Sequence, residues 1–331
     1  MSRFTRRRFL AVSTAAVGLA GGAATRPAWG AESQRTGRAF GTTVRLQVLH
    51  SDARRADEAA EAGLAELLRL ESLLSLYRPD SAVSQLNRQG YLDRPPRELV
   101  TVLRAATRMS QRSDGAFDVT VQPLWGLYVE QRRNGRSPTP EQLAEARRHV
   151  DWRAMVVDER RVAFTRPGMS LTLNGIAQGY VTDGVRQVLQ EHGVVQALLD
   201  TGEIGTLGKR TATDPWKIGI QHPRDDDAYV ALAQLAGRCL ATSGDYATRW
   251  SDDYASHHVF DPRTGASPQE LASVSIVAPT AMEADALSTA VMVLGPEAGM
   301  SLVAETPAAA VLLVTKAGRV LASPGFPLAE S

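Results

Sequence analysis

The sequence predicts an α+β protein, its strands and helices mixed without regular alternation, and three observations carry that class. Apolar residues alternate with polar ones from Thr42 to His50, the period of a strand with one buried face. From Asp52 to Tyr77 the period becomes helical, with Leu64, Leu67, Leu68 and Leu74 spaced by charged residues. In the second half, hairpin-like strands follow one another with helices inserted between them, which favours α+β over a doubly wound parallel sheet.

The first helix ends before Arg78-Pro79-Asp80, and a second is expected over Glu98 to Arg112. Asn134 to Pro140 is a polar connector whose end, Thr139-Pro140-Glu141-Gln142, has the form of an N-cap with proline in the first helical position, so a short helix runs to His149. A helical pattern follows Ile176 to about His192 and stops at Gly193, and Val194 to Leu199 is a buried strand. Further strands are expected at Trp216 to Ile220, Ala272 to Val277 and Ala308 to Thr315, the last turning through Lys316-Ala317-Gly318 into Val320-Leu321. With no repeat or obvious linker, two intimate subdomains sharing one cleft fit better than separable domains.

The chain opens on Thr5-Arg6-Arg7-Arg8-Phe9-Leu10, followed by an uncharged run from Ala11 to Thr25 and small residues at Ala28 and Gly30. This is the form of a twin-arginine signal over residues 1–30, with cleavage near Ala31 and a periplasmic destination. The apolar run is shorter than the roughly 20 residues a spanning helix needs. Removing residues 1–30 takes away five arginines and no acid, moving the formal charge from +1 to −4. A mildly acidic mature chain argues against a nucleic-acid partner. The single cysteine, Cys239, excludes an intramolecular disulfide and any cysteine cluster.

Chemistry-bearing residues gather in a few places. Asp285 and Thr289 stand at i and i+4 on a helix, with Ser288 beside them, so their oxygens share a face and suit a hard cation; the same spacing also fits an ordinary capping or solvent-facing aspartate. Leu171 to Tyr180 places a glycine-containing turn ahead of a helix start, where free backbone amides can meet phosphate oxygens. A second glycine turn, Asp200 to Gly205, follows a strand. Neither has dinucleotide-fingerprint or Walker spacing, and nicotinamide, iron–sulfur and haem motifs are lacking. His257 and His258 open the run to Gly265.

Taken in order, the stretches Phe40-Gly41-Thr42, Leu76-Tyr77 with Ser84 to Asn87, Asp114 to Thr120, Gly175 to Tyr180, Thr242 to Tyr246, His258 to Gly265 and Ala284 to Thr289 resemble the ApbE family of FAD:protein FMN transferases, from about Phe40 to Gly295. The resemblance implies an ApbE-like, T-fold-related architecture over 31–331 around one FAD cleft. It implies FAD contacts from Phe40, Tyr77, Ala116, Phe117, Asp118, Thr172, Gln178 and Val259, and magnesium held by Gly175, through its carbonyl, with Asp285, Ser288 and Thr289. His258, matching the family's His-x-x-Asp-Pro stretch, would be the general base, while Arg263 would contact phosphate or pair with an acid.

The implied reaction passes FMN from FAD to a threonine or serine of a partner flavoprotein, one carrying an FMN-binding domain of a membrane electron-transfer complex. The chain departs from the commoner family pattern at Thr172, where aspartate is usual, at Asn174, at Gln178 and in Asp200-Thr201-Gly202. Three other functions stay open at this point: a magnesium-dependent FAD pyrophosphatase releasing FMN and AMP, a non-catalytic flavin carrier, and a flavin oxidoreductase, for which no redox motif speaks.

Overall fold

The computed structural model describes residues 31–329. The first strand precedes the one expected. β1 (Ala31–Ala39) pairs antiparallel with β2 (Thr42–His50) through a two-residue turn in which Phe40 and Gly41 both have positive φ, the hairpin geometry that matches strand twist. Its sequence, AESQRTGRA, buries only Ser33 and Ala39, so it has no apolar alternation to betray it. Asp52 caps α1 (Ala53–Leu74), accepting from the amides of Arg54 and Arg55. Tyr77 lies in the turn beyond.

α2 (Ala82–Gln89) has Ser81 as its cap and ends on Gly90 at φ +78°. β3 (Tyr91–Asp93) leads into α3 (Arg97–Arg112). Next come α4 (Gln122–Arg133) and α5 (Pro140–Arg147), the latter entered by a full capping box between Thr139 and Gln142. β4 (Met155–Val157) and β5 (Arg161–Phe164) join β3 in a small sheet.

α6 (Ala177–Glu191) is followed by β6 (Gln196–Asp200) and β7 (Ile204–Leu207). The expected glycine turn at 200–205 is thus the tip of a hairpin. β8 (Trp216–His222) and β9 (Asp225–Leu235) form a second hairpin, and β10 (Cys239–Gly244) and β11 (Leu271–Ala278) flank the loop that carries both adjacent histidines. α7 (Ala281–Leu294), α8 (Pro296–Ala304), β12 (Ala310–Thr315) and β13 (Val320–Ala322) complete the order.

Eight strands make one sheet in the order β1-β2-β6-β7-β10-β11-β12-β13, and every strand pairing among the described residues is antiparallel. Alternation along each strand divides the core by face. On β6, Ala197 and Leu199 pack under α1 and α6, while Leu198 faces the β8–β9 hairpin; on β12, Val311 and Leu313 face α3 and α7, while Leu312 and Val314 face the hairpin. The helical side is itself two apolar clusters, one around α1 and α6, the other around α3 and α7. They meet at Tyr180 of α6, which divides this side into two halves.

The seam between the halves is also where the main sheet is weakest. β7 pairs with β10 only at Gly205–Cys239 and Ile204–Leu240, so β10 runs on past its neighbour. The Thr242 amide, deprived of a strand partner there, donates instead to buried Glu203 Oε2 at 3.2 Å. Ser243 lies one residue further, at the floor of a cleft. Residues 1–30, which hold the expected export signal, lie outside the described residues; among those described, no helix is long and apolar enough to cross a membrane.

Candidate active site

The cleft is lined by Ala116, Phe117, Asp118, Thr172, Gly175, Gln178, His258, Val259, Asp285 and Thr289, all singled out in the sequence. Their origins explain why no single stretch could define the site. The turn after α3 supplies residues 116–118, the approach to α6 supplies 172–178, α7 supplies Asp285 and Thr289, and the β10–β11 loop supplies His258 and Val259.

Asp285 neither faces solvent nor caps its own helix, whose cap is Thr280. It is 3 % exposed and its Oδ2 accepts from the Gly179 amide, 3.0 Å away, in the first turn of α6. The carboxylate thus sits against the positive end of a neighbouring helix. The close approach of α6 and α7 depends on Gly179, where a Cβ would fall 2.2 Å from the Ala281 carbonyl oxygen. In return, Asp183 of α6 accepts from the amides of Ala281 and Met282, so each helix caps the other.

One turn on, Thr289 Oγ1 lies 3.1 Å from Ser243 Oγ, which is 2.8 Å from Ser288 Oγ. Ser288 is buried and donates to the Asp285 carbonyl, so it stands behind the lining rather than in it. Gly175 closes this corner: a Cβ there would meet Thr289 Oγ1 at 2.8 Å. A carboxylate and hydroxyls around a position that admits no side chain form a donor set suited to magnesium.

The opposite wall is apolar and tightly tied. Asp118 Oδ1 accepts from Thr120 N and Thr120 Oγ1, both at 2.7 Å, and Oδ2 accepts from Trp152 N at 3.0 Å. Burial pushes its carboxyl above the ordinary carboxylate range, and those hydrogen bonds oppose the shift. Asp118 therefore holds the Phe117 turn in shape. Thr172 donates its amide to the Val119 carbonyl and accepts from Asn174 N, joining this wall to the approach of α6. Gln178 faces Gly202, whose φ of +103° and lack of a Cβ leave room for the amide.

The two histidines have opposite environments. His257 is fully buried, with Nε2 donating to the Pro268 carbonyl at 3.1 Å and Nδ1 accepting from Val259 N at 3.4 Å. Burial pushes it down to about 4, so it is neutral at pH 7. His258 lines the cleft, and its Nδ1 lies 3.1 Å from the Thr248 carbonyl. That bond places the ring proton on Nδ1 and makes Nε2 the basic nitrogen. Arg263, which had two expectations, pairs with Asp261 through Nε at 2.8 Å.

Phe40 and Tyr77 are not in the lining. Phe40 is buried in the α1–α6 cluster with its amide donating to Glu71 Oε1, and Tyr77 is 55 % exposed. Conversely, Thr42, Gly202, Ser243, Thr248 and Trp125 line the cleft without having been chosen from sequence. Thr42, Gly202 and Ser243 lay inside stretches already singled out. Trp125, edge-on to His258 with centroids 6.4 Å apart, carried no local signal.

Fold and cleft together define an antiparallel α+β protein whose one described catalytic-type cleft sets a histidine loop against an oxygen-rich helix corner. The chain belongs to the ApbE family, whose model matches residues 40–313. It is 31% identical over 295 residues to an FAD:protein FMN transferase of Salmonella typhimurium, covering 85% of this chain and 84% of that one. It is 32% identical over 326 residues to one of Treponema pallidum, covering 89% and 88%. Among solved structures, the ApbE protein of Thermotoga maritima superposes with a TM-score of 0.80 at 30% identity, covering 89% of this chain and 97% of that one. The apo flavinyl transferase ApbE of Pseudomonas stutzeri gives 0.76 at 29% identity, covering 89% and 96%.

Proposed function

We propose that this protein transfers FMN from FAD to a threonine or serine hydroxyl of an acceptor flavoprotein, with AMP as the second product. The observation that carries the reading is the cleft itself, which sets His258 in one lining with Asp285, Thr289 and Phe117. The relatives' names, FAD:protein FMN transferase, support the same reaction.

FAD is the substrate. The acceptor oxygen bonds to the FMN-side phosphorus, the bond from that phosphorus to the bridging oxygen breaks, and the bridging oxygen leaves with AMP. The acceptor's proton passes to His258 Nε2, the nitrogen that the Nδ1 bond to Thr248 leaves basic. Phe117 offers a flat apolar surface to a ring of the substrate. Asp285, Thr289 and the Gly175 carbonyl would hold magnesium, with Ser288 supporting from behind. When bound, that ion offsets charge on the diphosphate oxygens.

The acceptor belongs, on this reading, to a membrane electron-transfer complex in the periplasm, reached by export through the signal at residues 1–30. The test is intact mass of candidate FMN-binding domains after incubation with the protein, FAD and magnesium, with AMP measured in parallel. A gain of one FMN per acceptor with equal AMP supports transfer. Release of free FMN at one rate with and without acceptor, and no gain in mass, refutes it in favour of the pyrophosphatase.

A further inference from the structure

The Thr248 carbonyl takes a direct part in orienting His258. Thr248 O accepts from both the amide of His258, at 3.0 Å, and its Nδ1, at 3.1 Å. Thr248 belongs to the loop between β10 and His258, which is anchored midway by Trp250 packed on Trp125 and Tyr128, while Arg249, Asp252, Asp253 and Ala255 are exposed. Beyond Trp250, the tip of the loop is held from other segments as well.

The fixing groups converge on its tip. Tyr254 adopts φ +60°, a conformation uncommon for a bulky side chain and retained only where surrounding contacts enforce it. Lys316 Nζ donates to its carbonyl at 2.7 Å, and the Arg224 guanidinium lies 3.7 Å from its ring centroid. Both cations come from outside the loop, Arg224 from the β8–β9 turn and Lys316 from the end of β12. One carboxylate organises them. Asp245, at the base of the loop, takes Arg224 in a two-pronged pair at 2.7 and 2.8 Å and has Lys316 Nζ 3.9 Å from Oδ2.

The Asp245 side chain is 0 % exposed. A buried carboxylate is a poor way to fill space, because its desolvation offsets much of the attraction to its partners. What such a group does well is impose geometry, since a bidentate guanidinium pair is directional.

We infer that Asp245 is a positioning residue for His258: through Arg224 and Lys316 it clamps Tyr254 at the loop tip, and so sets the Thr248 carbonyl that orients the imidazole. The inference rests on the transferase reading for its kinetic consequence and on the loop geometry for its structural one. Without the carboxylate, Arg224 loses its two-pronged partner and Lys316 one of its two nearby acids, the other being Asp253; the tip is loosened and the His258 ring loses its fixed acceptor. Of the residues expected to face FAD, Phe117, Thr172 and Gln178 lie on other segments and keep their places, and only Val259 adjoins the loop.

The test compares wild type with Asp245→Asn and Arg224→Lys by kinetics and by nitrogen NMR of the histidine rings, using His258→Ala to assign the signal. In Asp245→Asn, kcat for FMN transfer should fall between about tenfold and a hundredfold, the scale of a misplaced catalytic group. The KM for FAD should stay within about twofold. The His258 signal should pass from the Nδ1–H form to a mixture of tautomers. Arg224→Lys keeps the charge and loses the fork, so it should show both effects in weaker form, and it carries the test if Asp245→Asn does not fold. A retained Nδ1–H tautomer, or kcat unchanged within about twofold, overturns the inference. If wild type labels no acceptor, the transferase reading falls and the tautomer alone decides the positioning claim.

Discussion

Lowering the pH from 7 to 4 should destabilise the histidine loop through His257. The His257 ring is fully buried, donates from Nε2 to Pro268 O and accepts at Nδ1 from Val259 N, so it has no place for a second proton. Burial lowers it from 6.5 to about 4. A histidine depressed in the folded state contributes stability that is complete above 6.5 and is lost as pH falls through the folded value. At 1.36 kcal/mol per unit, that loss is about 3 kcal/mol between pH 7 and pH 4. Asp200 works in the opposite sense. Burial raises it to about 6, so its contribution is complete below 3.8 and lost as pH rises through 6, again about 3 kcal/mol. The wild-type curve alone is therefore uninformative. Urea denaturation of wild type and His257→Gln across this range isolates the histidine. The variant is expected to be less stable at pH 7 but to escape the acid loss, narrowing its gap to wild type by about 3 kcal/mol at pH 4. A gap that stays constant with pH would refute the reasoning.

His258→Ala should lower FMN transfer roughly a hundredfold or more while FAD affinity, read by fluorescence titration, changes little. Asp285→Ala should cost at least about a hundredfold in magnesium-supported turnover, and unchanged turnover at limiting magnesium removes Asp285 from the metal corner. Gly202→Ala places a Cβ 2.1 Å from Gln178 Nε2 at φ +103°, so a loss of roughly 1–3 kcal/mol is expected, shared between melting temperature and FAD affinity. Replacing Arg6 and Arg7 by lysine should leave unprocessed precursor in the cytoplasm, as fractionation and immunoblotting would show; normal periplasmic accumulation excludes the twin-arginine route.

Local pattern determined much of this protein. Alternation identified β2, apolar β-rich runs marked β11 and β12, helical spacing identified α1, α3 and α6, and the Thr139 and Pro140 signals placed the start of α5. These are elements whose buried face is written in the order of their own residues. Three strands that escaped have the opposite property. β1 is a polar edge strand, while β7 and β10 are short, buried along their whole length and interrupted by small or hydroxyl residues, so neither shows a period. Resemblance of ordered stretches brought most of the cleft into view, because those stretches carry the chemistry itself.

Tertiary structure alone decided how those stretches are used. His257 and His258 are adjacent and chemically identical in sequence, yet one is sealed against Pro268 and the other opens onto the cleft, because successive residues of an extended segment point to opposite sides. Asp285 had been compatible with solvent or with its own helix end; the close approach of α6 at Gly179 turned it into the cap of another helix. Arg224, Asp245 and Lys316 lie far apart along the chain and carry no shared motif, so the clamp on Tyr254 exists only once the hairpin, the loop and β12 are packed together. A sequence order specifies the neighbours along a strand or helix, but which charge is buried and which partner it meets depends on contacts between segments that only the folded chain brings into reach.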